Sequence, residues 1–99
     1  MQVNNGEVYT FKLNSGEELI AKVVAAGQDY IYIQEPVSIA PGPQGMGLIP
    51  SLFTANDKNT VTLNTQCISM CAVTQDAVKL KYLEATTGIT VPEKKIILG

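Results

Sequence analysis

Between Val8 and Val24 the sequence alternates with a period of two on either side of a single glycine turn. Val8, Thr10 and Lys12 interleave with Tyr9, Phe11 and Leu13, and Leu19, Ala21 and Val23 interleave with Ile20, Lys22 and Val24. Successive side chains of a strand point to opposite faces, so this pattern predicts a β-hairpin over residues 8–24 with one face in a core. Asn14-Ser15-Gly16-Glu17 supplies the compact turn, with Gly16 where a positive φ is needed.

The rest of the chain continues in short strands. Residues 25–29 read as the next turn and Tyr30 to Ile39 as a third strand, with Pro36 marking a bulge or an edge position. Residues 40–59 read as an extended arm. Pro41 to Gly47 is a Pro/Gly connector, and Leu48 to Phe53 is apolar but interrupted by Pro50, which suits a hairpin arm or folded-back loop better than core. Thr60 to Val73 carries one or two further strands, with polar Asn64-Thr65-Gln66 between the apolar groups. One helix is predicted over 74–87. Thr74 is its N-cap, Asp76 lies in the first turn, and Val78, Tyr82 and Ala85 form a stripe with Leu80 and Leu83 beside it. Gly88 closes the helix, and residues 89–99 form a tail. Four or five short strands with tight turns and one C-terminal helix predict a mostly β fold, a small barrel. A barrel this small is often incompletely closed, and its free edge can pair with the next copy in a cyclic, head-to-tail assembly.

Length and composition set limits on function. The 99 residues make one domain, 1–99, without internal repeats. Apolar residues are 45% and charged residues 16%, and the mean hydropathy of +0.13 points to apolar surface covered by a partner or by further copies. The chain has no His and no Arg; all seven basic residues are Lys, and the formal charge is −2. The commonest general base and metal ligand is therefore missing, as is any bidentate grip on phosphate or guanine. Ser15 and Ser51 have no His to activate them, and the adjacent Glu17 and Glu18 face opposite sides of a strand. No enzyme, no cofactor and no metal site are expected. Cys67 and Cys71, four apart, would lie roughly 13 Å from each other on a strand, too far to bridge, and are expected as buried free thiols. No apolar run approaches the length of a membrane span, so no membrane is expected as a partner, and a reducing cytoplasmic setting follows.

Phe11-Lys12-Leu13-Asn14-Ser15-Gly16-Glu17-Glu18-Leu19-Ile20-Ala21-Lys22-Val23 resembles the first motif of the Sm-like (Lsm) family, with Ala21 where that motif usually has Gly. Val61-Thr62-Leu63-Asn64-Thr65-Gln66-Cys67-Ile68 is similar to the shorter second motif. Glu35-Pro36-Val37, the run Pro41 to Pro50 and Tyr82 to Ile89 are similar to short Sm-like proteins of tailed phages, including marine ones. The resemblance spans residues 8 to 90. It implies a strongly bent five-stranded Sm-like or SH3-like barrel, a ring of about five to eight identical subunits, and single-stranded RNA bound near the pore. A phage-encoded ring would work in the host cytoplasm. The family's base pockets come from the loop after the second strand and from the turn inside the second motif. Here those places hold Gln28, Asp29 and Tyr30, and Asn64, Thr65 and Gln66. Tyr30 is the residue able to stack a base, a contact worth about 1–3 kcal/mol, or else to pack on its own barrel. Asn64-Thr65 stands where the family has Arg-Gly, and the helix follows the barrel where the family's precedes it.

Two readings of function remain at this level. One is a homo-oligomeric ring that binds single-stranded RNA through Gln28, Asp29, Tyr30, Asn64, Thr65 and Gln66. The other is a structural or protein-interaction ring without nucleic acid, suggested by the acidic balance, the missing Arg and the apolar segment Gly47 to Phe53.

Overall fold

The structure, a computed structural model, describes residues 2–56 and 58–87. It is mostly β: β1 (Val8–Leu13), β2 (Glu18–Ala26), β3 (Tyr30–Gly42), β4 (Gly45–Pro50), β5 (Val61–Asn64) and β6 (Ile68–Val73), followed by α1 (Asp76–Thr87). All pairings are antiparallel, in the order β4-β3-β2-β1-β6, with β5 on β3. The expected five-stranded barrel is thus a six-stranded sheet that is not closed as a barrel. β5 and β6 share no ladder and are joined by one 3₁₀ turn, Thr65–Cys67. The extra strand comes from the arm: Pro43-Gln44 makes a two-residue turn, and residues 45–50 run back along residues 37–42 as an edge. Pro50 fits there because an edge strand needs fewer donors.

The β1–β2 hairpin follows the alternation. Leu13 donates its N–H to Glu17 O at 2.8 Å, Gly16 donates to Leu13 O at 2.9 Å, and Gly16 has φ 97°. Tyr9, Phe11, Leu19, Ala21 and Val23 lie on one face and meet Ile31 and Ile33 in the main core, which Val61, Leu63, Ile68 and Cys71 flank. The opposite face is also covered: Val8, Ile20 and Val37 pack with Tyr82 of α1, beside Val78 and Leu83.

Three bulges bend the sheet. Glu35 and Pro36 together oppose Ala21, Val24 is an extra residue of β2, and Ser69 is an extra residue of β6. Ser69 Oγ donates to the Lys12 carbonyl at 3.0 Å. Glu35 has φ 53°, a left-handed conformation that costs a residue with a Cβ about 1 kcal/mol. At this bulge β3 changes partner, from β5 over residues 30–33 to β4 over residues 37–42. Ala21 is fully buried opposite it, which explains a small residue there.

The helix starts two residues later than expected. Thr74 is buried and its hydroxyl pairs with Thr10 Oγ1 at 2.9 Å, while the Gln75 carbonyl accepts the Lys79 N–H at 2.8 Å. Leu80 and Ala85 are exposed; Val78, Lys79, Tyr82, Leu83 and Thr86 are the covered face. The Tyr82 hydroxyl accepts from Lys22 N at 3.1 Å and lies 3.1 Å and 2.9 Å from the carbonyls of Gln34 and Glu35, inside the bulge. Lys58 Nζ donates to Thr86 O at 3.1 Å near the helix end and pairs with the Glu35 carboxylate at 3.7 Å. Gly88 and the tail 89–99 lie outside the described residues. Among the described residues no helix is long and apolar enough to cross a membrane.

Candidate functional site

The two segments singled out by the sequence meet at one end of the sheet. β2 ends at Ala26, and Gly27 donates its N–H to Tyr30 O at 2.8 Å, closing a tight turn that carries Gln28 and Asp29. A Cβ on Gly27 would come to 3.2 Å from that same carbonyl, which favours glycine. On the other side, β5 runs into the 3₁₀ turn, and Tyr30 stands opposite Asn64 in the β3–β5 ladder. Thr65 crosses between them. Its N–H donates to Asp29 O at 2.9 Å, and its hydroxyl reaches Asp29 O at 3.0 Å and Gln28 O at 3.3 Å.

Gln28, Asp29, Tyr30, Asn64, Thr65 and Gln66 therefore form one patch, but their chemistry differs. Asn64 Oδ1 accepts the Gln66 N–H at 2.9 Å and caps the 3₁₀ turn, so that oxygen is committed to the fold. The Thr65 hydroxyl is likewise committed to the opposite loop. Gln66 holds the hairpin turn as well, its carbonyl accepting from Asn14 Nδ2 at 2.6 Å. The Gln28 and Asp29 side chains are exposed, and Tyr30 is 44% exposed. An open cleft of about 360 Å³ lies beside them, lined by Val3, Ala26, Gly27, Gln28, Ile31 and Thr65. Asp29 is the only charged residue of the six. The patch can stack a planar group and exchange neutral hydrogen bonds, and it brings no cation to a phosphate.

Sequence reasoning passed over Tyr32. It is also exposed, two residues from Tyr30 on the same strand, while Ile31 and Ile33 between and beyond them are buried. The alternation Tyr-Ile-Tyr-Ile carried that signal, because residues two apart share a face. Thr62 and Asn64, exposed on β5, stand opposite the two tyrosines.

The cysteines separate. Cys67 closes the 3₁₀ turn and is exposed, contrary to the buried thiol expected, whereas Cys71 sits in β6 against the core. Burial pushes the Cys71 thiol above its ordinary range. Elsewhere, the buried Ser38 hydroxyl donates to the Glu17 carboxylate and pairs with Ser51 Oγ at 2.8 Å, tying the hairpin turn to the segment after β4. Neither a protein-family model nor a curated protein matches the chain, so the reading of the site rests on its own geometry.

Proposed function

We propose that this protein is an Sm-like subunit of a closed homo-oligomeric ring, in which β4 of one copy pairs with β6 of the next. One observation carries the reading: the strand order ends in β4 and β6, each six residues long and, among the described residues, paired on one side only. Both edges carry exposed apolar side chains, Met46 and Ile49 on one and Met70 and Val73 on the other. Unprotected edges of this kind pair with other chains, and a head-to-tail contact between two different edges closes into a ring when the rotation permits. Each subunit then repeats the patch of Gln28, Asp29, Tyr30, Asn64, Thr65 and Gln66, and single-stranded RNA is bound there by stacking on Tyr30. Such a ring works in the cytoplasm.

A specific observation favours a second reading, a structural or protein-binding ring. Leu52 and Phe53 are exposed beside the β4 edge, Phe53 at 79%, and the loop patch carries only the negative charge of Asp29. Native mass spectrometry with and without short oligo-U and oligo-A separates the two. A single closed multimer that gains an oligonucleotide, and loses it on Tyr30→Ala, supports RNA binding. A multimer that ignores both oligonucleotides supports the protein-binding ring, and a monomer throughout overturns the assembly.

A further inference from the structure

A second cleft, of about 290 Å³, lies at the seam between α1 and the sheet, away from the loop patch. Val8, Tyr82 and Leu83 give it an apolar floor, and Lys22 of β2 and Lys79 of α1 both line it. Neither ammonium has a hydrogen-bond or ion-pair partner among the described residues. The cleft's carboxylate, Glu35, is already paired with Lys58 at 3.7 Å. Two lysines without a partner among the described residues therefore line one half-apolar cleft in a chain whose formal charge is −2. With Glu35 neutralised by Lys58, the lining is net positive, and a charged cleft with low-dielectric walls concentrates the opposite charge.

We propose that this cleft is a binding site for a small organic phosphate monoester. Two lysines match the charge of such a group, which carries about −1.5 to −2 at pH 7. Lysine is a point-charge phosphate ligand that needs no bidentate geometry, so the absence of Arg does not count against the site. The apolar floor takes the organic body. The volume lies at the lower limit of ligand sites, so that body is one ring and not an extended chain. The Tyr82 hydroxyl is held by backbone groups of the bulge and contributes its ring face, not a donor.

The experiment is an amide-shift titration of the intact protein with phenyl phosphate at low salt, with benzyl alcohol and inorganic phosphate in parallel. Phenyl phosphate is expected to give saturable shifts at Lys22, Glu35 and Lys79 and none at Tyr30. Lys22→Gln with Lys79→Gln is expected to weaken it about tenfold, while Lys22→Arg with Lys79→Arg retains binding. Both lysines project from elements whose packing does not use their ammonium groups, and an unchanged thermal midpoint of the Gln variant certifies the comparison. No saturable shift, equal binding by benzyl alcohol, or equal binding to the Gln variant overturns the charge-based site. Equal affinity for inorganic phosphate overturns the apolar half of the proposal.

Discussion

Tyr82→Phe removes one oxygen, and the structure says what that oxygen does. It accepts the Lys22 N–H at 3.1 Å and lies 3.1 Å and 2.9 Å from the carbonyls of Gln34 and Glu35, under a side chain that is only 2% exposed. A hydroxyl has one proton, so it serves the two carbonyls in shared fashion while accepting from Lys22. Without it, one backbone donor and at least one carbonyl lose this partner beside a side chain that is almost wholly buried. Each unsatisfied group costs about 1–3 kcal/mol, though a carbonyl with a second lone pair stands at the low end, so the sum is about 2–3 kcal/mol. For a domain of this length that lowers the midpoint of thermal unfolding by about 10–20 °C. Urea unfolding followed by circular dichroism gives the free energy directly. Wild type and variant must be compared at one protein concentration, because the proposed self-association would raise apparent stability by mass action. If water enters from the adjoining cleft and replaces the hydroxyl, the loss falls to about 1 kcal/mol, as for an ordinary exchanged hydrogen bond. A loss below about 0.5 kcal/mol, within the range of an ordinary surface substitution, refutes the idea that the hydroxyl clamps the bulge.

Three further outcomes follow from the same geometry. Met70→Lys with Val73→Lys places charge on the β6 edge and is expected to convert the proposed ring to monomers in sedimentation velocity with an unchanged far-ultraviolet spectrum; a surviving multimer removes β6 from the interface. Gly16→Ala meets no atom within 4 Å but must hold φ 97°, and it is expected to lose about 1 kcal/mol in urea unfolding, with no loss refuting the strained turn. Burial raises the Cys71 thiol pKa in the folded state. The unfolded chain therefore sheds that proton first as pH rises, and this contribution to stability is complete below the unfolded thiol's pKa and lost as pH climbs through the folded one. Urea midpoints across that alkaline window should fall less in Cys71→Ala than in wild type, and parallel curves refute the assignment.

The hairpin was legible because its signals are local: the alternation, the Gly16 turn and the inward set Tyr9, Phe11, Leu19, Ala21 and Val23 all lie between residues 8 and 24. β4 was harder to see. Its residues are Gly-Met-Gly-Leu-Ile-Pro, with no face to bury, and only pairing with the second half of β3 makes them a strand. The loop patch was legible in membership but not in role. Asn64 Oδ1 is engaged locally by the Gln66 N–H as a cap, and the Thr65 hydroxyl by carbonyls 36 and 37 residues away, bonds that only the tertiary fold creates. Tyr32 was legible in the alternation Tyr-Ile-Tyr-Ile, which puts it on the face of Tyr30.

The bulge at Glu35-Pro36 connects the features that the sequence hid. Pro36 announced an irregularity, but not that two residues would face one alanine. Once they do, β3 bends there and offers its two halves to different partners, so the sheet gains β4 as an edge instead of closing on itself. The same bend leaves the Gln34 and Glu35 carbonyls turned toward the Tyr82 hydroxyl, which fixes where the helix docks. The left-handed backbone of Glu35 costs about 1 kcal/mol, and the Tyr82 hydrogen bonds and Lys58 offset it from two sides. The open edge and the covered outer face therefore share one cause. A helix anchored at this bulge covers Val8, Ile20 and Val37 on the outer face, while among the described residues β4 and β6 each keep one open edge. Burying one face within the chain and leaving the edges for a neighbour is the division of surfaces that a ring subunit requires.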